Sequence, residues 1–317
     1  MNDRPGAFAE YVVIDYDLTW HIHNRIGFEE AAGVSLCGVT AAQGVFQRLK
    51  LPSPFTTTES FGQLNINDDE PINVFIYGAS SSVGFYAAQL IRKSEKISGK
   101  IIRLIGAASP SKHALLYNSP CSYDVLLDYR NPQWPDAVWK ASGGEGVHYA
   151  IDAISQGSTV EQTGSIIRPG GKFAIFRAPA AGGFDITKLK IKPVFGAVWE
   201  ALGVEVIYHG GKYYSACQNS VFLVADAVNS IGITIPANAE ARAFAAAFYE
   251  YLGSGARTGQ IKLHPIPVRV MPGGLEKIPT DGFALLSGSF EAKGQGKKDY
   301  ENRLRPISGE KIVYVLV

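Results

Sequence analysis

The sequence predicts an α/β protein built on a doubly wound parallel sheet, with a second, smaller part formed by its two ends. Three observations carry that expectation. Apolar runs and helical stretches alternate through the middle of the chain, whereas the ends lack this alternation. The first apolar run, NVFIYGASSSVG at 73–84, breaks into a Gly/Ser turn that opens straight into FYAAQLIRK. In order, VFIYGAS is a strand followed by a helix near 84–94, IIRLIGAA a strand followed by a helix at 111–117, and DVLLDYR a strand followed by a helix near 134–141. HYAIDAIS precedes another helix and GGKFAIFRA closes the series. Such units join by right-handed crossovers. Residues 1–23 read as short strands, 28–49 as one or two helices, and GEKIVYVLV as a terminal strand. The polar, proline-bearing stretch 51–72 reads as a surface connector, and the charged EAKGQGKKDYENRLRP as a surface insertion before the last strand.

Composition sets the bounds. The 317 residues carry a net charge of +1 and are 46% hydrophobic, with a mean hydropathy near zero, enough for a full core in one or two domains. Lys and Arg are dispersed, which argues against nucleic acid as a partner, and no apolar stretch approaches the roughly 20 residues that span a bilayer. MNDRPGAFAEYVV has no apolar signal core, and the three cysteines, Cys37, Cys121 and Cys217, are odd in number and far apart. A soluble protein of the reducing cytoplasm, with free thiols, is the expectation. Its oligomeric state is left between monomer and homodimer.

The turn after the first strand suits a dinucleotide phosphate. Gly78 lets the chain leave the strand sharply, Ser80, Ser81 and Ser82 present N–H groups and hydroxyls at the positive end of a helix dipole, and Gly84 lets that helix pack closely on the sheet. In an NAD-binding unit a carboxylate about 20 residues beyond the glycines holds the ribose 2′-hydroxyl. Here that place reads Ala107, Ala108, Ser109, Pro110, Ser111, Lys112, His113. Without a carboxylate to repel a 2′-phosphate, and with Ser109 and Lys112 able to bind one, NADP(H) is the expected cofactor. A solvated lysine at a helix start is the plainer reading of Lys112.

Other constellations fall away. His21 and His23 alternate but no third ligand follows at a suitable spacing, so no metal is expected. Tyr208 and Lys212 match a YxxxK element, yet Gly210 and Gly211 between them discourage the helix that element needs. There is no G-x-S-x-G elbow.

Eight segments occur in the order found in the zinc-independent medium-chain dehydrogenase/reductase superfamily: GAFAEYVV, FEEAAGVSLCGVTAAQGVF, FIYGASSSVGFYAAQL, LLDYRNP, AIDAIS, RPGGKFAIF, IPVRVMPGGLEKIP and SGEKIVYVLV. The chain most resembles the fungal-type branch of toxD-like oxidoreductases and trans-acting enoyl reductases that serve polyketide synthases. That resemblance implies a Rossmann domain at 41–254, a remnant of a GroES-like catalytic domain at 1–40 and a return to it at 255–317. Members begin with a GroES-like domain near whose end GAFAEYVV belongs, whereas here it starts at residue 6, so most of that domain is expected to be missing. Its loss should leave the apolar faces of Ala31 to Phe46 and the C-terminal strand exposed.

The resemblance also implies site residues. Ser80, Ser81, Ser82 and Val83 wrap the pyrophosphate, and Ser109, Pro110, Ser111 and Lys112 take the 2′-phosphate. Tyr129 lies beside the adenine or its phosphate, Thr40 borders the nicotinamide, and Phe176 stands at a carboxyl end of the sheet. The competing readings are a strand-end tyrosine, a hydroxyl returned to the helix backbone and a plain core aromatic. The implied activity is zinc-independent hydride transfer from NADPH to a polarised C=C of an enoyl thioester or α,β-unsaturated carbonyl, with a polyketide synthase as partner. The proton donor is left unassigned. A quinone oxidoreductase is the alternative within this chemistry, and a catalytically silent NADPH-binding protein or truncated gene product the alternative outside it.

Overall fold

The computed structural model describes residues 8–56, 70–208, 233–287, 304–305 and 307–315. Strand β1 (Ile72–Tyr77) is buried at all six positions, as a central parallel strand covered on both faces must be. Its alternate residues feed two cores: Ile72, Val74 and Ile76 join one apolar cluster, Phe75 and Tyr77 the other. Around β1 stand β2 (Ile102–Ala108), β3 (Val125–Asp128), β4 (Val147–Asp152), β5 (Ile167–Ile175) and β6 (Val194–Phe195). All neighbours are parallel and the order is β3-β2-β1-β4-β5-β6, so the direction of winding reverses between β1 and β4.

Two helices precede β1, α1 (Phe28–Ala32) and α2 (Ser35–Ala42), and the latter runs on as a π-helix through Gln43–Arg48. The crossovers carry α3 (Ser82–Ser98), α4 (His113–Tyr117), α5 (Trp134–Ala141), α6 (Ser158–Ser165) and the single turn α7 (Pro179–Gly182). Helix α3 outruns the expected span because Ser81 caps its start and Gly99, at φ 68°, closes its end in the left-handed conformation.

The long α8 (Ala239–Thr258), capped by Asn238, escaped the sequence reading. Its Phe244, Ala245, Phe248, Tyr249 and Leu252 recur at helical spacing and join the first core. Before α8 stand two short antiparallel strands, β7 (Val206–Tyr208) and β8 (Ile233–Ile235), and after it come β9 (Val268–Met271), the short α9 (Phe283–Ser287) and β10 (Lys311–Tyr314), with β10 parallel to β9. The expected divisions at 40/41 and 254/255 fall inside α2 and α8.

Three expectations are corrected. Among residues 8–23 no strand forms; the chain has no regular structure over 11–15 and makes one 3₁₀ turn at Tyr16–Leu18, with no paired neighbour among the described residues. The stretch from Ala31 to Phe46 is mostly buried, because Val34, Val39, Ala41, Ala42, Val45 and Phe46 pack into the first core, while Leu36 stays exposed. The exposed apolar run lies instead at Tyr11, Val12, Val13 and Ile14. The connector after residue 50 begins in the interior: Leu51 is fully buried, and Phe55 sits among Phe46, Phe244, Phe248 and Tyr251 at centroid distances of 5.3–5.7 Å. Its residues 57–69, Lys212, Cys217 and most of the 291–306 insertion lie outside the described residues.

The candidate dinucleotide site

The crevice at the carboxyl ends of β1, β2 and β4 is set by glycines. Gly78 has φ 72°, and a Cβ on Gly84 would lie 2.3 Å from the Gly78 carbonyl oxygen, so α3 meets the turn at a distance only glycine permits. The Ser81 hydroxyl accepts the Gly84 N–H at 3.1 Å. Ser82 and Val83 occupy the first two positions of α3, whose N–H groups have no intrahelical acceptor and point outward with the positive helix end. This is a cradle for a phosphate anion.

At the end of β2 the loop Ser109–Lys112 forms a 3₁₀ turn. The structure brings Ser109 to a residue the sequence reading missed: Arg130 donates from Nη2 to Ser109 Oγ at 3.2 Å. The Arg130 guanidinium also lies 5.5 Å over the Tyr129 ring, which meets Tyr77 edge-on at 6.3 Å. Burial first, then the Asp152 charge, pushes the Tyr77 hydroxyl up to about 12. Pro110 and Ser111 are exposed. The Lys112 side chain lies against Gly309, 3.2–3.6 Å from where a Cβ there would stand. One carboxylate was overlooked: Asp128, in register with Ala108, stands at the neighbouring strand end, where its Oδ1 accepts the Arg130 N–H at 3.0 Å. The signal for Arg130 was its place in LLDYRNP, next to the tyrosine already singled out.

The other wall is made by α2 and β5. Thr40 returns its hydroxyl to the Leu36 carbonyl at 2.7 Å, so its remaining capacity there is as an acceptor. Phe176 packs its ring on Gly44, where a Cβ would lie 2.6 Å from the ring's Cζ. Thr40 and Phe176 therefore border one helix–strand seam, away from Ser109. Burial pushes the Cys121 thiol up to about 12, which makes it a packing residue. An open cleft of about 580 Å³ lies elsewhere, between residues 16–21 and α8, and none of the expected site residues lines it. No described helix is long and apolar enough to cross a membrane.

A six-stranded parallel sheet in this order, with a glycine-tight helix start at its switch point, is a Rossmann-type dinucleotide-binding fold. No family model matches the chain. Relatives match it nearly end to end. The trans-enoyl reductase gkaC of Penicillium citrinum is 27% identical over 313 residues, 98% of this chain and 71% of the relative. The trans-enoyl reductase xenG of Xenoacremonium sinensis is 26% identical over 312 residues, 98% and 69%. Among solved structures, the CurK enoyl reductase aligns with a TM-score of 0.53 at 17% identity, over 83% of this chain and 61% of that one. A NADPH:quinone reductase structure from Bacillus thuringiensis aligns with a TM-score of 0.53 at 16% identity, over 89% and 67%. These structural likenesses show the fold. The chain thus spans about three fifths of the CurK structure and about 70% of the curated relatives' length. By sequence it is similar to fungal trans-enoyl reductases along nearly its whole length.

Proposed function

We propose that this chain is a nicotinamide-dependent oxidoreductase that reduces a polarised C=C bond, carried by an enoyl thioester or another α,β-unsaturated carbonyl, with NADPH as donor. The enoyl class is inferred from end-to-end similarity to trans-enoyl reductases, and a polyketide synthase carrying the thioester is the partner this implies. The observation that supports the cofactor is the pairing of two features on one crevice: the Gly78–Gly84 cradle, and the Ser109–Arg130 pair at the end of β2.

When bound, the dinucleotide supplies the hydride. The N–H groups of Ser82 and Val83 hold pyrophosphate oxygens at the start of α3, and Ser81 keeps that turn closed through its bond to Gly84. Ser109, Arg130 and Lys112 bind the 2′-phosphate. Tyr129 offers an aromatic edge for the adenine, while Thr40 and Phe176 line the nicotinamide end. No described side chain is assigned as proton donor.

Titration of the protein with NADPH and NADH by fluorescence, followed by NADPH oxidation with a crotonyl thioester and with a quinone, tests the proposal. NADPH binding with thioester turnover is the expected result. Turnover of quinone alone replaces the enoyl reading with a quinone reductase, and binding without turnover leaves a silent cofactor-binding protein. Failure to bind either dinucleotide overturns the proposal.

A further inference from the structure

Asp152 ends β4 at the reversal point of the sheet and is fully buried. Its Oδ1 accepts the N–H groups of Ile154 at 2.9 Å and Ser155 at 2.7 Å, and its Oδ2 accepts the Thr159 hydroxyl at 2.6 Å. Burial raises its pKa, while these hydrogen bonds oppose the rise. The residues it holds lead in two directions. Ile154 stands against the phosphate turn: a Cβ on Gly78 would lie 2.8 Å from its Cγ1. Ala153 donates to the Tyr77 carbonyl at 3.0 Å, fixing the same junction.

Ser155 points the other way. It is fully buried and non-glycine, yet sits at φ 52°, a left-handed conformation that costs about 1 kcal/mol and persists only where neighbours enforce it. Its hydroxyl donates to the Asp152 carbonyl at 2.6 Å and accepts the Phe176 N–H at 3.0 Å. Phe176 in turn lies on Gly44, one helical turn beyond Thr40. A single carboxylate thus ties the phosphate turn to the seam of Phe176 and Gly44.

We infer that Asp152 is a positioning residue that, through Ile154 and Ser155, fixes the span between the phosphate cradle and the Phe176 wall. It touches no reacting group itself. The inference rests on reading the crevice as a nicotinamide dinucleotide site, since only a ligand with two distant ends needs that span held.

The test compares wild type with Asp152→Ala, Asp152→Asn and Ser155→Gly. Glycine adopts the Ser155 backbone freely but leaves the Phe176 N–H without its acceptor. Asparagine can still accept both N–H groups and can donate to Thr159, so it serves as the rescue. Hydrogen–deuterium exchange of the ligand-free proteins reads the linkage. Ser155→Gly should speed exchange at Phe176 about tenfold, within the range of a lost hydrogen bond, and leave 78–84 unchanged. Asp152→Ala should speed both regions, and Asp152→Asn should stay near wild type. NADPH and 2′,5′-ADP affinities read the function: Ser155→Gly should weaken NADPH several-fold while 2′,5′-ADP is held as before.

The inference is overturned if Ser155→Gly leaves Phe176 protected, if exchange in Asp152→Ala rises only within 152–159, or if both ligands weaken equally. Should Asp152→Ala not fold, Ser155→Gly and Asp152→Asn decide the matter. A wild type that binds neither dinucleotide overturns the cofactor reading beneath the inference, and the exchange data, which need no ligand, separate that failure from failure of the linkage.

Discussion

The crevice at the carboxyl ends of β1 and β4 and the part of the molecule built from its two ends are held in opposite ways. The crevice is fixed by short-range contacts between backbone and buried groups. Gly84 lies against Gly78, Ile154 against the same turn, and Asp152 beneath both. The terminal part packs Val34, Leu263 and Ile266 into the first core and is pinned beyond that by a few long-range clips. The Tyr86 hydroxyl donates to the Gly33 carbonyl at 3.0 Å and accepts the Ile266 N–H at 3.2 Å. The Gln89 amide pairs with both backbone groups of His264, at 2.9 and 3.0 Å. Arg269 and Glu310 join β9 to β10 as a buried ion pair at 2.8 Å. All of these clips on α3 belong to the helix whose start forms the phosphate cradle, so the two regions share one rigid element and differ in how much else supports them. A region held by many contacts should fail globally when struck, and one held by clips should loosen locally.

The sharpest way to break that contrast is at Gly84. A methyl group there would fall on backbone rather than on a movable side chain, so Gly84→Ala must push α3 off the turn. We expect a loss of about 3 kcal/mol, the upper part of the range for overpacking, with dinucleotide binding abolished. Chemical denaturation and NADPH titration check both. Unchanged affinity would show that the turn has slack the structure denies.

Tyr86→Phe strikes a clip instead. It leaves the Gly33 carbonyl and the Ile266 N–H unpartnered in the interior, which costs about 2 kcal/mol. The loss should register as faster exchange over 263–271, with the cradle and cofactor affinity intact. Equal loss of protection over 78–84 would mean that the two regions unfold as one.

Arg130→Ala is smaller and is read in binding. Removing one charge-assisted contact should weaken NADPH about tenfold, or about 1.4 kcal/mol, and leave NADH within twofold. An equal effect on both cofactors would assign Arg130 to Tyr129 packing. Lys112→Ala, leaning on Gly309, should do less.

The same contrast explains what could be read from the sequence. The β1–α3 turn was legible because its requirements are local: a strand, a sharp exit, a small residue against the helix. The alternation of β1 to β5 was legible because each strand carries its own apolar run. Arg130 was not, since its meeting with Ser109 depends on β2 and β3 lying side by side, a pairing of residues 21 apart. Asp152 lay within AIDAIS in plain view, but burial and the left-handed Ser155 give it its role, and neither has a sequence signal. Residues 8–23 misled because alternating apolar residues promise a strand, whereas a strand also needs a partner.

The opposite end of the same sheet offers a control remote from both regions. His148, in β4, accepts the Asn73 N–H on Nδ1 at 3.0 Å, and the Arg168 guanidinium stands 2.8 Å from its other ring nitrogen. Burial first, then the Arg168 charge, drives its pKa down to about 4. The folded protein therefore resists protonating this ring, while the unfolded chain takes the proton near 6.5. Between those values the unfolded state binds more protons, so stability must fall as pH drops from about 6.5 to about 4 and gain nothing further from this group below that. At pH 7.5 the effect is absent. His148→Gln should flatten this part of the stability profile in denaturation measured at pH 7.5, 6, 5 and 4, after carboxylate contributions common to both proteins cancel. Because the ring lies at the amino ends of the strands, dinucleotide affinity at pH 7.5 should be unchanged in the variant. If it moves with the stability profile, the two ends of the sheet are coupled, and the resistance of the crevice to local loosening belongs to the sheet as a whole rather than to Asp152 and its neighbours.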